Sequence, residues 1–243
     1  MALNQPLFRL EAAQRALAKG HTLAEAHEMF DALLHLSSTQ GEIHLYLGEW
    51  AEASEAFQQG FTLAEELGNL ERQAGHRAGL ALAARGQHNL EAATALLEDA
   101  LTLIAERGYW HLRTRIQLWL AETLLLRGRI AKAEPHLEAA LQTARAHGRM
   151  LLLMQGERLH ARLLATHNNW LAANASFAKT LERASDLGLT LERARTQAAW
   201  GETLLRYSPG RHHGHALLTE ARKAFAHQGA RAELEALSVS VKL

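Results

Sequence analysis

The stretch LLRGRIAKAEPHLEAALQTARAHG, residues 125–148, has close counterparts forty residues before it and forty residues after it. Residues 85–108 read RGQHNLEAATALLEDALTLIAERG, and residues 165–188 read ATHNNWLAANASFAKTLERASDLG. All three stretches carry alanine at the same place, an apolar residue four positions later and glycine at the end. Self-similarity at a fixed period of this length is the sequence signature of a repeat architecture.

The repeat consists of small and apolar residues at helical spacings. Small residues recur forty apart at Gly41, Ala81, Ala121, Ala161 and Gly201, and twelve later at Ala53, Ala93, Ala133 and Ala173. Bulkier residues follow four positions on, at Phe57, Leu97, Leu137 and Phe177. Spacings of three, four and seven place side chains on one face of a helix. Each unit is therefore predicted to be a pair of helices, spanning 70–85 and 89–106, 110–126 and 130–146, 150–166 and 169–186, and 190–206 and 214–227.

Small residues also mark the predicted ends and close contacts of these helices. Gly68, Gly108, Gly148, Gly188 and Gly229 close the pairs, because glycine adopts the left-handed conformation that commonly follows a helix at little cost. Asn168 stands where another unit has Gly128, and it is expected to adopt the same conformation. The recurring small residues inside the helices are expected to let two backbones approach closely.

Composition supports an all-α protein and argues against several functions. The chain has 243 residues, 48% of them hydrophobic, with 26 basic and 26 acidic side chains and no cysteine. A neutral balance is not the basic footprint of nucleic-acid binding. No apolar run is long enough for a membrane span, and the N-terminus lacks the apolar centre of a signal peptide, so we expect a cytoplasmic location.

Four local features bear on where the helices begin and end. Gly20 is expected to break an opening helix over residues 6–19, and Thr22 to Glu25 is a candidate capping box for the next helix. The sequence leaves open whether residues 22–47 form one helix or two. Pro135 conflicts with a helix that starts at residue 129, so that helix either begins near Lys132 or bends. A short helix and a frayed tail are expected after residue 230.

The order of small, small, bulky and small residues resembles the tetratricopeptide repeat over about residues 30–229. The units are forty residues long rather than the roughly 34 typical of that family, and the early tryptophan of the family is missing. Units of this length, with phrases such as LLRGRIAKAEPHLEAAL and ALLTEARKAFAHQGA, resemble the sensor segments of bacterial ATPase-type transcriptional activators such as the maltose-operon activator. The resemblance implies a right-handed α-solenoid of antiparallel helix pairs. It implies one domain over residues 1–243, with capping helices at 1–35, five units at 36–229 and a C-terminal cap or tail at 230–243.

The resemblance also places the first helix of each pair along a concave groove. The positions that it assigns to this groove are Glu42, Tyr46, Arg85, Arg115, Glu122, Arg158, Arg162, Arg195, Glu202 and Arg206. Arginine outnumbers glutamate in this set although the whole chain is neutral, and a guanidinium presents a planar fork that suits a carboxylate or phosphate. The groove is thus predicted to bind an acidic peptide, a C-terminal carboxylate or an anionic metabolite. The alternative is that Glu122, Arg162 and Glu202 only pair with one another between neighbouring units, where exposed pairs contribute at most about 1 kcal/mol each.

The histidines and tryptophans indicate a functional site less clearly than the arginines of the groove do. The stretch SPGRHHGH, residues 208–215, is interpreted as a solvated loop rather than a metal site, because its histidines lack helical ligand spacing. His160 is expected to be a partly buried ring. Trp50, Trp170 and Trp200 lie in phase with the repeat and are expected to pack, whereas Trp110 and Trp119 either pack or face a partner.

The function predicted from the sequence is a non-enzymatic scaffold in bacterial regulation that binds a protein or peptide, with an acidic peptide as one candidate. No catalytic motif, cofactor motif or metal motif accompanies the repeat, so neither a cofactor nor a metal ion is expected. The alternative function is a small-molecule sensor segment of a larger bacterial transcriptional activator. Homo-oligomerisation through the end units is a further expectation that the sequence leaves open.

Overall fold

The computed structural model of the chain describes residues 6–207 and 211–240, and this part contains twelve α-helices and no strand. The helices run in the order α1 (Pro6–Ala26), α2 (Phe30–Leu47), α3 (Trp50–Glu66), α4 (Leu70–Gly86), α5 (Leu90–Leu103), α6 (Trp110–Leu126), α7 (Ile130–Ala146), α8 (Met150–Thr166), α9 (Trp170–Asp186), α10 (Thr190–Tyr207), α11 (Arg211–Gln228) and α12 (Arg231–Ser240). Short turns join successive helices, so the prediction of an all-α fold built from helix pairs is confirmed.

The residues that are predicted to end the helices adopt the left-handed conformation, with one exception. Gly68, Gly148, Gly188 and Gly229 all have positive φ, and Asn168 has φ 63° in the place of a glycine. Gly108 is the exception, because it does not adopt the left-handed conformation. There α5 ends at Leu103, three residues before the predicted end. The Arg113 guanidinium donates hydrogen bonds to the carbonyl oxygens of Ile104 and Ala105 and holds this longer turn.

The prediction that Gly20 breaks the first helix is wrong. Helix α1 runs through Gly20 to Ala26, so Thr22 does not cap a new helix, and its hydroxyl instead donates to the carbonyl oxygen of Ala18 one turn back. The break falls at residues 27–29, where Glu28 has φ 53°. Residues 22–47 therefore belong to two helices, and the second begins at Phe30.

Pro135 lies inside α7, which begins at Ile130 rather than near Lys132. The backbone N–H of Ala133 donates to the carbonyl oxygen of Arg129, so the first turn is already formed before the proline. The Pro135 side chain is exposed, and its ring therefore occupies the solvent side of the helix.

Small residues form the contacts that the repeat predicts. Ala53, Ala93 and Ala133 are completely buried, and Phe57 packs in the core with Ala53. A Cβ atom added to Gly41 would lie 2.6 Å from the Phe57 ring, so the ring occupies the space that a side chain would need. The equivalent residues three repeats later, Ala161 and Phe177, form the same contact and pack with Ala199.

The first residues of α11 correct the interpretation of the histidine tract. His212, His213 and His215 are exposed, as expected, but they lie on the first turns of a helix that begins at Arg211 rather than in a loop. Residues 208–210 lie outside the described part of the chain. His213 meets Trp200 edge to face, with the ring centroids 5.3 Å apart, and Phe177 stacks on Trp200 at 5.9 Å.

The chain divides into two compact units, residues 1–123 (unit 1) and residues 124–243 (unit 2). In unit 1 the helices α1 to α5 pack in sequence, and in unit 2 the helices α7 to α12 do the same. The domain boundaries predicted from the sequence stay a prediction. None of the helices in the described ranges combines the length and the hydropathy needed to cross a bilayer.

Candidate protein-binding surface

The predicted groove residues lie on the even-numbered helices, and we call the side of each unit that these helices form the even-helix surface. In each unit an arginine on one even-numbered helix is paired with a glutamate on another. The pairs are Glu42–Arg115 and Arg85–Glu122 in unit 1, and Arg158–Glu192 and Arg195–Glu233 in unit 2. The surface is thus held together by charge as well as by packing.

Arg115 differs from the other paired arginines because its charge is only loosely held. Its guanidinium lies over the Trp119 ring, 4.8 Å from the centroid, one turn along α6. Its nearest carboxylate oxygen belongs to Glu42 on α2, at 3.4 Å. The side chains are 36% and 59% exposed, so the pair is solvated and weak. In contrast, Arg85 and Glu122 approach to 2.6 Å and are less exposed.

Two further polar contacts lie on the even-helix surface of unit 1. The Arg72 guanidinium on α4 contacts Nε2 of His35 on α2. The Ser38 hydroxyl lies 3.5 Å from Nε2 of the buried His76. Burial, followed by the positive charge of Arg72, lowers the pKa of His76 from 6.5 to about 4. His76 is therefore neutral near pH 7.

In unit 2 the arginines and glutamates form a continuous ladder across α8, α10 and α12. Arg158 donates to Glu192 at 2.6 Å, Arg195 donates to the other oxygen of Glu192 at 2.8 Å, and Arg195 also donates to Glu233 at 2.6 Å. Burial raises the pKa of Glu192, but the charges and hydrogen bonds of Arg158 and Arg195 outweigh it and hold that pKa below its ordinary value. Glu192 therefore stays ionised inside the ladder.

The remaining predicted residues are placed as follows. Tyr46 and Glu202 are half-buried on α2 and α10, and Arg206 is exposed at the end of α10. Arg162 is half-buried on α8 and forms no ion pair with another described residue. Of the predicted set, the structure thus brings together Glu42 with Arg115, Arg85 with Glu122, and Arg158 with Arg195 through Glu192. The role of the set in binding stays a prediction.

Sequence reasoning missed the acidic partners in unit 2. Glu192 and Glu233 follow Arg158 and Arg195 by 34 and 38 residues, and Glu122 follows Arg85 by 37. A signal was available, because these separations lie close to the repeat length of forty. An arginine followed by a glutamate about one repeat later indicates a pair between neighbouring first helices.

The odd-numbered helices carry open depressions rather than enclosed pockets. One depression lies along α3, beside Glu55, Gln59 and Thr62, and another lies between α9 and Trp200. Neither contains a predicted groove residue. Among the described side chains, no three His, Asp or Glu residues are placed to hold one metal ion.

Similarity to known proteins is found in structure and not in sequence. No protein-family model and no curated protein matches the chain. The structure of RapI without ligand superimposes with a TM-score of 0.73 at 14% identity, covering 96% of this chain and 82% of RapI. BtubC (BKLC) from P. vanneervenii gives 0.65 at 17% identity and covers 91% of each chain.

Two further neighbours have the same fold. A Rap protein complexed with Competence and Sporulation Factor gives a TM-score of 0.66 at 12% identity, over 97% of this chain and 71% of that protein. PH0952 from Pyrococcus horikoshii, a signal transduction ATPase with numerous domains and a tetratricopeptide repeat sensor, gives 0.62 at 14% identity. The match covers 96% of this chain but 39% of PH0952.

These neighbours and the helix pairs together define the class of protein. The chain has the tetratricopeptide-like helical-repeat fold, as its sequence predicts. At identities of 12 to 17% the likeness concerns the fold alone, and what each neighbour binds is a property of that neighbour.

Proposed function

We propose that the protein is a non-enzymatic scaffold in bacterial regulation, and that it binds a protein or peptide on the even-helix surface of unit 1. The observation that carries this proposal is the half-exposed Arg115 guanidinium resting on Trp119. Arginine and tryptophan are enriched among the residues that dominate binding energy at interfaces. Here the two occur together, on a helix whose partners leave them accessible.

The other arginines of the predicted groove are less suited to capture a ligand. Arg158 is 12% exposed and its carboxylate partner Glu192 is 8% exposed, so a ligand would have to break a desolvated pair. Arg85 is tied to Glu122 by a short charge-assisted hydrogen bond. Arg115 can exchange its weak contact with Glu42 for a ligand carboxylate at little cost.

We infer the chemistry of the partner from the same two side chains, Arg115 and Trp119. A carboxylate would approach the edge of the Arg115 guanidinium, and an apolar side chain beside that carboxylate would cover the part of the Trp119 ring that remains accessible. The partner that fits is a peptide segment with Asp or Glu next to Leu or Phe. Support for a bound partner on this fold comes from the Rap protein that is complexed with Competence and Sporulation Factor.

Fluorescence anisotropy with labelled peptides tests the proposal. The probe is a library of short peptides that carry Asp or Glu beside Leu or Phe, and the variant is Arg115→Gln. We expect the affinity to fall about tenfold in the variant, and to fall with added salt in the wild type, because a charge-assisted contact is lost or screened.

Arg77→Gln is the matched control for this experiment. Arg77 also lies over an aromatic ring, that of Phe61 at 4.5 Å, but it pairs with Asp99 on α5 and so faces the odd-numbered helices. The control should bind like the wild type. Equal losses in both variants, or no peptide bound by the wild type, would remove the proposed site.

The second candidate function is a small-molecule sensor segment of a larger transcriptional activator. The supporting observation is PH0952, in which a fold of this kind is described as a sensor and occupies part of a longer chain. Thermal denaturation in the presence of anionic metabolites separates the two functions. A metabolite that raises the melting temperature of the wild type, with no peptide bound by anisotropy, would favour the sensor.

A further inference from the structure

Arg72, near the start of α4, carries a charge that none of the described carboxylates neutralises. Its guanidinium contacts Nε2 of His35 on α2, and this imidazole is its one side-chain partner within the described ranges. Arg72 is half-buried and His35 is exposed, so the contact lies at the surface. A guanidinium that is partly removed from water gains from an anionic partner, and an imidazole is not one.

Arg72 and Arg115 reach the same face of α2 from two different helices. The Arg72 guanidinium contacts His35. The Arg115 guanidinium lies 3.4 Å from a carboxylate oxygen of Glu42. Glu42 follows His35 by seven residues, which is two helical turns, so both side chains lie on one face of α2. At about 1.5 Å per residue, the two guanidinium groups are about 10 Å apart along this helix.

The surface beside these two guanidinium groups has room for a ligand. Gly75 follows Arg72 by about one turn of α4, and a Cβ atom there would meet nothing within 4 Å. Short turns make α2, α3 and α4 alternate in direction, so α4 runs parallel to α2. Gly75 therefore lies beyond Arg72 in the direction in which Glu42 lies beyond His35, and the space above Gly75 is open.

We propose that the peptide bound by unit 1 carries two acidic side chains three residues apart in an extended segment, one bound by Arg115 and the other by Arg72. This inference rests on the proposed function and adds a second contact to the same surface. The charges are complementary, because Arg72 has no carboxylate among the described residues and Arg115 has a solvated one. Arg72 thus sets the spacing of the acids that the surface accepts.

The distance between the two guanidinium groups indicates the form of the peptide. A segment in the polyproline II conformation has three residues per turn and rises about 3.1 Å per residue, so acids three residues apart lie on one side, about 9 Å from each other. A helical partner would instead need acids seven residues apart. The extended form fits better, because its backbone can approach α4 closely where Gly75 has no side chain, whereas the side chains around a helix would keep its backbone further away.

The probe is a fluorescein-labelled peptide that contains Glu-Leu-Leu-Glu between glycines, with both ends capped so that no terminal charge contributes. Each glutamate has a leucine beside it, so both directions of binding offer an apolar side chain to Trp119. Two single-acid peptides carry glutamine in place of the first or the second glutamate. All three peptides are titrated by anisotropy into the full-length wild type, Arg72→Gln and Arg115→Gln.

We expect the two-acid peptide to bind the wild type about tenfold more tightly than either single-acid peptide, because a second charge-assisted contact forms. Arg72→Gln should remove this advantage and change the affinity of the single-acid peptides little, since these can use Arg115 alone. That pattern is the coupling between Arg72 and the second acid, measured as a double-mutant cycle. It also shows that Arg72→Gln leaves the rest of the surface intact.

The spacing and the charge each have a control. Peptides whose two glutamates are adjacent, or seven residues apart, should bind like the single-acid peptides. Arg77→Gln is the matched control variant, because it removes the same charge from the same helix, and Arg77 pairs with Asp99 towards the odd-numbered helices. This variant should bind every peptide like the wild type.

The outcomes separate this inference from the proposed function. If Arg115→Gln weakens binding and Arg72→Gln does not, the proposed function stands and the second contact is wrong. If acids seven residues apart bind most tightly, the bound segment is helical and the extended form is wrong. If only Arg72→Gln weakens binding, or the wild type binds none of the peptides, both the Arg115 site and the paired contact are overturned.

Discussion

His76 on α4 lies where α2, α3 and α4 meet, and it is 1% exposed. The ring lies near Ser38 on α2, contacts Gly60 on α3 and meets Phe57 edge to face at 6.3 Å. Its Nδ1 is buried and has no partner within the described residues. A charged imidazole would therefore have to form in an apolar space beside the Arg72 cation.

His76 makes the stability of unit 1 depend on pH. Its pKa is about 4 in the folded state and 6.5 when exposed, so the unfolded chain binds more protons between these values. The contribution is complete above pH 6.5 and is lost as the pH falls towards 4, by about 3 kcal/mol in total. Urea denaturation of the wild type should show this loss, and His76→Gln should remove most of it.

His212→Gln is the control for the pH experiment, because it removes an exposed histidine from α11. This variant should keep the acid sensitivity of the wild type. If His76→Gln also keeps it, another group is responsible for the pH dependence.

Gly60 leaves the space that the His76 ring fills. A Cβ atom at Gly60 would lie 2.2 Å from Cε1 of His76, whereas a Cβ at Gly75 would meet nothing within 4 Å. Both glycines lie inside helices, where alanine is otherwise preferred by about 0.5–1 kcal/mol. We therefore expect Gly60→Ala to lower the free energy of unfolding by about 1–3 kcal/mol and Gly75→Ala to raise it.

A double-mutant cycle checks the cause of this difference. If the imidazole is the obstacle, Gly60→Ala should cost much less in a His76→Ala background, because the contacting ring is gone. Equal costs in both backgrounds would place the strain elsewhere.

At the scale of the helix, Pro135 is a residue that destabilises the helix in which it lies, α7. It removes one backbone donor from α7, and its ring is exposed, so little packing is lost when the ring is removed. Pro135→Ala should raise the free energy of unfolding by about 1–3 kcal/mol. Glu138→Ala, at an exposed position on the same helix, is the control and should change stability by less than about 0.5 kcal/mol. A loss of stability in Pro135→Ala would show that the ring contributes to packing.

Helix positions were predictable because their signals are local. Helical spacing and end glycines placed α4 and α6 to α10 to within one or two residues. The prediction was wrong at Gly20, because a glycine in a helix costs only about 1 kcal/mol and the packing of α1 against α2 outweighs it. A Cβ at Gly20 would lie 3.1 Å from Leu36, so the glycine is used for close packing and not for a turn.

The candidate site was predictable only in part, because its geometry joins residues that lie about one repeat apart or, for Glu42 and Arg115, about two repeats apart. The period placed Arg85, Arg115, Arg158 and Arg195 on first helices, but it did not show which of them would find a carboxylate. The distinction between the loosely held Arg115 and the desolvated Arg158 depends on burial and on distances of 3.4 and 2.6 Å. Neither quantity can be obtained from spacing alone.

At the scale of the whole molecule, a repeat fold predicts that stability is distributed locally. Within each unit the successive helices pack against one another, so a defect should affect its own helix pair and the pairs beside it in that unit. Gly60→Ala in α3 and Gly201→Ala in α10 provide matched defects, since a Cβ at Gly201 would lie 2.8 Å from Leu218 and 2.9 Å from the carbonyl oxygen of Gly214.

Hydrogen exchange measured helix by helix tests this distribution. Gly60→Ala should speed exchange in α2 to α4 and leave α8 to α11 close to the wild type, and Gly201→Ala should do the reverse. The free energy changes of the two substitutions should add within about 0.5 kcal/mol in the double variant, because the sites share no partner. Faster exchange throughout all described helices in either single variant would mean that the repeats unfold as one cooperative body. In that case a ligand at Arg115 would stabilise α8 to α11 as strongly as α2 to α6, whereas local stability confines its effect to the helices around its own site.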